Sequence, residues 1–246
     1  MGAAKPQKAL ARFLAPGAVP GQRVLLDPEE SHHLQHVRRL KEGAEILLLD
    51  LKGHEFKGRV QRLGRRVWVE VLELVREEAP KAPELVLGLP LLKKDHLSFL
   101  VEKAAELGVS RVILYYSRRT VVKPGPNLVP KLGARAAQSL KQCGRLWPLA
   151  IDGPKPLSSL AEEETLYKLV AYEKEKSLSL KEALKRIPSK PDKLLFLSGP
   201  EGGFSPEEAS FLQQKGFLLV HLGDQILRAE TAAFYLMSVA HLWFFL

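Results

Sequence analysis

The chain has few cysteines and no extended apolar run. Cys143 is the single cysteine among 246 residues, which excludes a disulfide within the chain and a zinc cluster built from cysteines. We expect a buried structural thiol at this position. The most apolar segment, residues 232–246, is shorter than the roughly 20 residues of a membrane-spanning helix. The N-terminus lacks the apolar stretch of a secretory signal, so we expect a cytoplasmic protein with no membrane partner.

Negative charge is also in short supply. Lysine and arginine number 37 against 28 aspartates and glutamates, which gives a net charge of +9. A protein this basic often binds a polyanion, and nucleic acid is the most common one. The alternative is that the excess of positive charge only maintains solubility.

A charged segment with two prolines, "REEAPKAPE" at residues 76–84, divides the chain. It has no apolar periodicity and is typical of a linker, so we predict domains at 1–75 and 80–246. Before it, short apolar runs predict a small β-barrel; they lie at 22–26, 44–50, 55–63 and 65–75.

One helix interrupts these predicted strands. Asp27 is a favourable N-cap, Pro28 suits the first helical position, and Glu30 would complete a capping box.

After the linker, apolar runs alternate with segments of helical periodicity. The runs lie at 84–90, 111–116, 167–172, 193–198 and 217–222. Helices are predicted at 94–108, 130–144, 179–187, 205–216 and over the C-terminal segment. Strands separated by helices predict an α/β domain with a parallel sheet covered on both faces. The C-terminal helix is apolar on all faces, which predicts that it is buried all round, in part by a dimer interface.

The stretch "LSGPEGGFSPEE" at 197–208 has the form of a phosphate-binding loop, but its charges disfavour a phosphate. Ser205 and Glu208 form a capping box, so the helix N-terminus already has its partner. Glu207 and Glu208 complement the helix dipole and, together with Glu201, repel an anion. Dinucleotide-binding and P-loop fingerprints are absent. The loop therefore suits a neutral or cationic ligand that approaches the backbone closely.

A second loop, "GDQILRAETAA" at 223–233, follows the next strand. Adjacent strand ends of a parallel sheet form its ligand crevice, so the two loops predict one shared site. Ile226 and Leu227 either pack into the core or wall a pocket for a flat, apolar-faced group. Arg228 stands just before the last helix, where a lone arginine is usually a surface charge or an ion-pair partner.

Together, "LSGPEGGFSPEE" and "LGDQILRAETAA" resemble the closing motifs of the RsmE family, which are 16S ribosomal RNA uracil-N3 methyltransferases of the SPOUT class. Segments 31–43, 91–109, 117–123 and 142–145 also resemble family segments, so the resemblance covers nearly the whole chain. It implies a C-terminal SPOUT domain with a trefoil knot, a PUA-like N-terminal barrel, and S-adenosylmethionine as the methyl donor. It also implies 16S rRNA within the assembled small ribosomal subunit as the partner, and a homodimer whose active site draws on both subunits.

The resemblance implies a donor pocket whose backbone groups bind adenine and ribose. The residues carried onto this chain are Leu197, Gly199, Glu201, Gly202, Leu222, Gly223, Ile226 and Leu227, with Tyr172 and Glu173 after the preceding strand. A donor with a sulfonium and no phosphate explains the carboxylates of the loop. No metal is expected, since methyl transfer from a sulfonium mainly requires alignment with the attacking atom.

Two residues are predicted to act on the uracil. Its N3 is a poor nucleophile while it keeps its proton, and the charge that moves to O2 and O4 needs a positioned cation. Arg228 is the predicted cation; the alternatives are that it holds an RNA phosphate or pairs with Glu230. Glu201 is a predicted base, and the alternative is that its carboxylate orders the loop by accepting backbone N–H groups.

A further set of basic residues is predicted to contact RNA. The run "KGRVQRLGRR" at 57–66 carries five positive charges and no negative one; the alternative is a merely solvated hairpin. The predicted RNA-binding residues are Arg38, Arg39, Lys57, Arg59, Arg62, Arg65, Arg66, Arg118, Arg119 and Arg145. His32, His33 and His36 cluster without an acidic or cysteine partner, so we predict no metal site there.

Two other functions stay open at this stage. A different SPOUT enzyme that methylates a ribose 2′-OH would share both loops and differ in how RNA docks. An rRNA-binding assembly factor that kept the fold would have no need for an intact donor pocket. Binding of S-adenosylmethionine separates the enzymes from the assembly factor.

Overall fold

The computed structural model describes residues 10–246, except the side chain of Lys94, and the chain forms two compact units. The first unit extends to Pro80 and also includes Leu140–Pro148. The second unit contains Lys81–Ser139 and Leu149–Leu246. The domain ranges 1–75 and 80–246 stay predictions, and the first nine residues of the former lie outside the described part.

A curled five-stranded sheet forms the first unit, in the order β1-β3-β4-β5-β2. Its strands are β1 (Arg12–Leu14), β2 (Arg23–Leu25), β3 (Glu45–Leu49), β4 (His54–Arg62) and β5 (Trp68–Glu77), and its helical segment is α1 (Pro28–His32) followed by one π-helical turn (His33–Val37). β1 runs parallel to β3, whereas the other neighbouring strands are antiparallel. The core on the inner face includes Phe13, Leu34, Ile46 and Val69, all fully buried. The predicted N-terminal β structure is confirmed.

The start of α1 follows the prediction only in part. Asp27 is the N-cap, and its carboxylate accepts a hydrogen bond from the Glu30 backbone N–H at 2.8 Å. The predicted capping box is wrong, because the Glu30 carboxylate turns inward. It accepts hydrogen bonds from the Leu14 N–H at 3.0 Å and from Lys141 Nζ at 2.6 Å. A buried carboxylate needs such partners more than a helix end does.

A six-stranded, entirely parallel sheet forms the second unit, in the order β11-β9-β10-β6-β7-β8. The strands are β6 (Glu84–Pro90), β7 (Arg111–Tyr116), β8 (Ala150–Pro156), β9 (Tyr167–Ala171), β10 (Lys193–Leu197) and β11 (Phe217–Val220). The helices are α2 (Lys94–Glu106), α3 (Leu128–Cys143), α4 (Leu157–Ala161), α5 (Leu180–Lys185), α6 (Pro206–Gln214) and α7 (Ala229–Phe245). The predicted α/β fold with a parallel sheet flanked by helices is confirmed.

The order of the strands places three late loops side by side. β10 lies between β6 and β9, and β11 forms the edge beyond β9. The chain then leaves this edge, and α7 packs on α2 and β6. The loops that follow β9, β10 and β11 therefore emerge at one edge of the sheet, next to the start of α7. The trefoil knot stays a prediction from the resemblance.

α7 is only partly buried within this chain, because Phe234, Tyr235, Leu242 and Trp243 remain 39–64% exposed, and its burial by a dimer interface stays a prediction. One prediction about burial is wrong. Cys143 is exposed rather than buried, since it lies at the last position of α3. Within residues 10–246, every helix falls short of the length and apolarity that crossing a membrane requires.

Candidate functional site

A cavity of about 270 Å³ opens where β9, β10 and β11 end. Because the three strands are parallel neighbours, the loops that follow them meet at the same edge of the sheet. The volume lies just below the range of about 300–1,000 Å³ that is typical of small-molecule sites. Its walls come from Tyr172, Glu173 and Lys176 after β9, from Gly199–Gly203 after β10, and from His221–Arg228 after β11.

The structure brings most of the predicted site residues to this cavity. Those that line it are Tyr172, Glu173, Gly199, Glu201, Gly202, Leu222, Gly223, Ile226, Leu227 and Arg228. Leu197 is not among the lining residues. Its side chain is fully buried and belongs to the core that contains Val170 and Phe204. Leu197 therefore contributes to the loop's position by packing in the core beneath it.

Glycine is required in the loop after β10 because two side chains approach it closely. At Gly203, φ is +66°, and a Cβ there would lie 2.8 Å from Glu173 Oε1. A Cβ at Gly199 would lie 3.1 Å from the ring of Phe204. The Gly203 N–H also closes a turn by donating to the Pro200 carbonyl at 2.8 Å. A side chain at Gly203 or Gly199 would therefore press against Glu173 or Phe204.

The segment after β7 fastens this loop from the outside. Arg119 Nη1 donates to the Gly202 carbonyl at 2.6 Å, and the Arg118 N–H donates to Glu208 Oε1 at 2.9 Å. Glu208 also forms the predicted capping box with Ser205, which is confirmed. Arg119, predicted as an RNA contact, therefore has a structural role at the rim of the cavity.

A buried hydrogen-bond chain joins the end of β10 to the start of α7. The Tyr115 hydroxyl donates to the Ser198 carbonyl at 2.6 Å, and the Ser198 hydroxyl donates to the Ala229 carbonyl at 3.2 Å. Burial, aided by the charge of Glu208, raises the pKa of Tyr115 well above its ordinary value, so the phenol stays a neutral donor. This chain fixes Arg228, the N-cap residue of α7, relative to the glycine loop.

Arg228 and Glu201 both line the cavity and are both exposed. Glu230, the alternative partner of Arg228, lies 3.7 Å from His96 instead. Within residues 10–246 the Arg228 side chain makes no hydrogen bond or ion pair, and the same holds for the Glu201 carboxylate. The alternative in which Glu201 orders the loop by accepting backbone N–H groups therefore has no support in the described part of the chain.

Two titratable groups near the cavity show what charge it presents. Burial, followed by the nearby Glu173 carboxylate, raises the pKa of Tyr172, so its phenol stays neutral. Hydrogen bonding to Ser205 lowers the pKa of Glu207, so the first turn of α6 keeps its negative charge. A phosphate would meet repulsion at this helix start.

The cavity therefore fits a ligand with a positive charge and a flat apolar face. Its lining contains three carboxylates, those of Glu173, Glu201 and Asp224, against two cations, Lys176 and Arg228, so negative charge is in excess. Ile226 and Leu227 supply apolar surface, and Ile226 is 81% exposed. S-adenosylmethionine combines a sulfonium with an adenine ring and carries no phosphate, so the residues present match its chemistry.

The predicted basic hairpin is partly neutralised by residues from other strands. Lys57 and Arg59 approach the Glu45 carboxylate of β3 at 2.9 Å and 3.8 Å. Arg66 donates to the Leu26 carbonyl at 2.8 Å. The sequence run 57–66 has no acidic residue of its own, and the neighbouring strand provides one.

Other predicted RNA-binding residues remain exposed and lack an ion pair in the described part of the chain: Arg38, Arg39, Arg62 and Arg65. Arg145 differs, because it is partly buried and its burial lowers its pKa. Across residues 10–246, no three His, Cys, Asp or Glu side chains are grouped so that they could hold a metal ion.

Comparison with protein families shows two matches. A model of an RNA methyltransferase domain matches residues 78–241, and a model of an RNA methyltransferase PUA domain matches residues 26–72. Ribosomal RNA small subunit methyltransferase E from Bacillus subtilis is 30% identical over 223 residues, which cover 85% of this chain and 86% of that protein.

Solved structures share the fold along nearly the whole chain. A Legionella pneumophila protein described as a methyltransferase, solved in complex with the bound cofactor SAM, is 26% identical with a TM-score of 0.83; the match covers 94% of this chain and 97% of that one. Ribosomal RNA small subunit methyltransferase E from Neisseria gonorrhoeae has a TM-score of 0.85 at 23% identity, over 96% and 98% of the two chains.

Proposed function

The chain belongs to the RNA methyltransferase family, and we propose that it methylates N3 of a uridine in small-subunit (16S) ribosomal RNA with S-adenosylmethionine as donor. The observation that carries the proposal is the cavity at the ends of β9, β10 and β11. There Arg228, a cation without a partner among residues 10–246, stands beside a glycine loop and three carboxylates.

The donor supplies a methyl group on a positively charged sulfur. The backbone groups of Gly199–Gly203 and of Leu222–Gly223 bind its adenine and ribose, since the glycines permit close approach. Ile226 and Leu227 cover the flat face of the adenine, and Glu173 and Glu201 keep the cavity negative. Tyr172 completes the wall as a neutral phenol.

Arg228 and Glu201 act on the uracil. Glu201 accepts the N3 proton, a role that suits an exposed carboxylate to which no other group in the described part of the chain bonds. Arg228 stabilises the negative charge that then spreads to O2 and O4 of the base. The hydrogen-bond chain from Tyr115 through Ser198 to Ala229 holds the two residues in one site, because it ties their loops together.

The RNA substrate extends over the basic surface of the chain. Arg38, Arg39, Arg62 and Arg65 contact phosphates, since these four are exposed and unpaired in the described part. Lys57, Arg59 and Arg66 contribute less, because each already has a partner. Arg118, Arg119 and Arg145 stay predictions as RNA contacts.

The enzyme works as a homodimer on the assembled small subunit in the cytoplasm. The exposed apolar face of α7 carries Phe234, Tyr235, Leu242 and Trp243, and Phe99 of α2 lies 6.1 Å from Phe234 between ring centroids. A second copy would cover this face. Light scattering at micromolar concentration should give the mass of a dimer, and a monomeric mass would refute this part of the proposal.

Calorimetry and mass mapping test the proposal together. The purified protein should bind S-adenosylmethionine. When it is incubated with this donor and with small-subunit RNA from a strain that lacks the protein, the RNA should gain one methyl group on a uracil base. No donor binding would favour an assembly factor. A methyl group on a ribose 2′-oxygen would favour the other type of SPOUT enzyme.

A further inference from the structure

We propose that Trp68 is a stacking platform for one unpaired base of RNA, on the outer face of the β4–β5 hairpin. The inference rests on the proposed function, because it takes RNA as the ligand, and it adds a base contact outside the methyl-transfer cavity.

Trp68 presents its ring to solvent. It is 40% exposed, whereas Val69, the next residue of β5, is fully buried in the core. Because successive side chains of a strand point to opposite faces, the indole lies on the outer face of the sheet. Within residues 10–246, the indole N–H makes no hydrogen bond and no ring or cation stacks on the indole. A large aromatic face is thus left without a partner.

The neighbours of Trp68 across the sheet are a cation and an aliphatic side chain. Arg62 of β4 and Leu25 of β2 are its register partners. Directly opposite residues of antiparallel strands share a face, with Cβ atoms about 4.5–5.5 Å apart, so Arg62 lies beside the indole. The next row on this face consists of Arg23, Glu70 and Arg59.

The surface around the indole is positive. Arg23 and Arg62 are exposed and form no ion pair in the described part of the chain. Two acids share this face and already have partners. Glu70 accepts a hydrogen bond from Gln61 Nε2 at 2.5 Å. Glu45, the register partner of Arg59, lies 2.9 Å from Lys57 Nζ and 3.8 Å from Arg59 Nη2. Arg65 follows in the turn of the hairpin and is also exposed. An aromatic ring bordered by arginines complements a nucleotide, which combines a π face with a phosphate.

The arrangement favours single-stranded over double-stranded RNA. Bases within a duplex are covered by their neighbours, whereas unpaired bases can stack on aromatic side chains. Such stacking tolerates any base, because every base has a π face. Trp68 would hold one splayed-out base, and Arg62 would hold the adjoining phosphate.

The test compares two substitutions of Trp68 with a control. Trp68→Leu removes the aromatic face, whereas Trp68→Phe keeps one. The control, Leu74→Ala, changes another half-exposed apolar position of β5. The full chain is titrated with single-stranded oligouridylate and with the same oligouridylate paired to oligoadenylate, at one fixed salt concentration. Trp68→Leu should bind the single strand about 5- to 100-fold more weakly and the duplex unchanged. Trp68→Phe and Leu74→Ala should stay within about threefold of the wild type for both probes.

A second readout follows the indole itself. Oligouridylate should quench tryptophan emission in the wild type, and Trp68→Phe should abolish most of that quenching. The proposal would be overturned if Trp68→Leu bound the single strand as tightly as the wild type. It would also be overturned if the affinity for both probes fell by the same factor. These results leave the proposed function intact if the wild type still methylates small-subunit RNA. A wild type that neither binds RNA nor methylates it would overturn both.

Discussion

The two edges of the parallel sheet differ in whether their charged side chains form ion pairs. At the amino ends of the strands, Arg111 contacts Glu163 and lies 3.2 Å from Asp152, and Lys193 lies 3.3 Å from Glu163 and 3.9 Å from Glu84. At the carboxyl ends, Arg228 and Glu201 line a cavity without any partner among residues 10–246. The charges at the amino edge form ion pairs, whereas Arg228 and Glu201 at the carboxyl edge form none within the described residues.

The ion pairs at the amino edge shift the pKa values of their members. Burial alone would raise the pKa of Glu163, but hydrogen bonds from Arg111 and Lys193 outweigh it and lower the pKa. Burial would likewise lower the pKa of Arg111, and Glu163 and Asp152 raise it instead. These charges stabilise each other. At the carboxyl edge, Arg228 and Glu201 have no partner of this kind among residues 10–246, and we propose that the chemistry takes place there.

Replacing Arg228 should have the largest effect on activity and little effect on stability. We expect Arg228→Ala to lower kcat about 10²- to 10³-fold, because the charge on the uracil oxygens loses its counterpart. The free energy of unfolding should change by less than about 0.5 kcal/mol, since the removed side chain is exposed and has no partner within residues 10–246. Steady-state kinetics and urea denaturation measure the two quantities.

Lys190→Ala provides the control for charge alone, because Lys190 is exposed and lies outside the cavity. Its activity should equal that of the wild type. A large loss of stability in Arg228→Ala would show that the arginine is structural and would remove the contrast between the edges.

Glu201→Gln should have the next largest effect. We expect kcat to fall about 10²-fold near neutral pH, because the variant cannot accept the N3 proton. The deficit should shrink at alkaline pH, where uracil loses this proton to solvent, and calorimetry should show unchanged donor binding. A deficit that is equal at all pH values, together with weaker donor binding, would assign Glu201 to loop ordering.

Glu163→Gln should show the reverse pattern at the amino edge. We expect a loss of about 1.5–3 kcal/mol in the free energy of unfolding at neutral pH, because Arg111 and Lys193 lose a charged partner. The lowered pKa of folded Glu163 means that its contribution is present above the ordinary value of 4.5 and disappears as pH falls through the folded value. The difference between variant and wild type in urea denaturation should therefore narrow below about pH 4.5.

The kcat of the folded Glu163→Gln protein should remain that of the wild type. A selective loss of turnover in this variant would contradict the division of roles between the two edges.

A pair of glycine variants tests the cavity wall with the smallest expected change. Gly203 and Gly216 both have positive φ, +66° and +84°, but only a Cβ at Gly203 would meet a cavity residue, Glu173. We expect Gly203→Ala and Gly216→Ala each to lose about 1–2 kcal/mol of stability. Only Gly203→Ala should also raise the Kd of the donor, by about tenfold in calorimetry. Equal donor affinity in the two variants would show that the Gly203–Glu173 approach does not shape the pocket.

Elements with a strong local pattern were predictable from the sequence. The strands predicted at 84–90 and 111–116 have these bounds in the structure, since their apolar runs end at clear boundaries. β1 was missed because three residues carry no pattern, and it depends on pairing with β3. β8 was missed because "AIDGPKP" contains a glycine and two prolines. It lies at the sheet edge, where proline is tolerated.

The site shows the same limit. Its loops were predictable because the carboxyl ends of parallel strands share an edge. The partners of its residues were not, because they come from distant parts of the chain. Arg119 binds the Gly202 carbonyl 83 residues away, and Glu45 of another strand neutralises Lys57. A run of positive charge in the sequence therefore overstated the free positive charge on the surface.

Mass mapping of small-subunit RNA tests the central claim most directly. RNA from a strain that lacks this protein is incubated, as assembled subunits, with S-adenosylmethionine and either the wild type or Arg228→Ala. We expect 3-methyluridine at one position with the wild type and little of it with Arg228→Ala after the same incubation time. Equal methylation by both proteins, or a methyl group on any atom other than uracil N3, would contradict it.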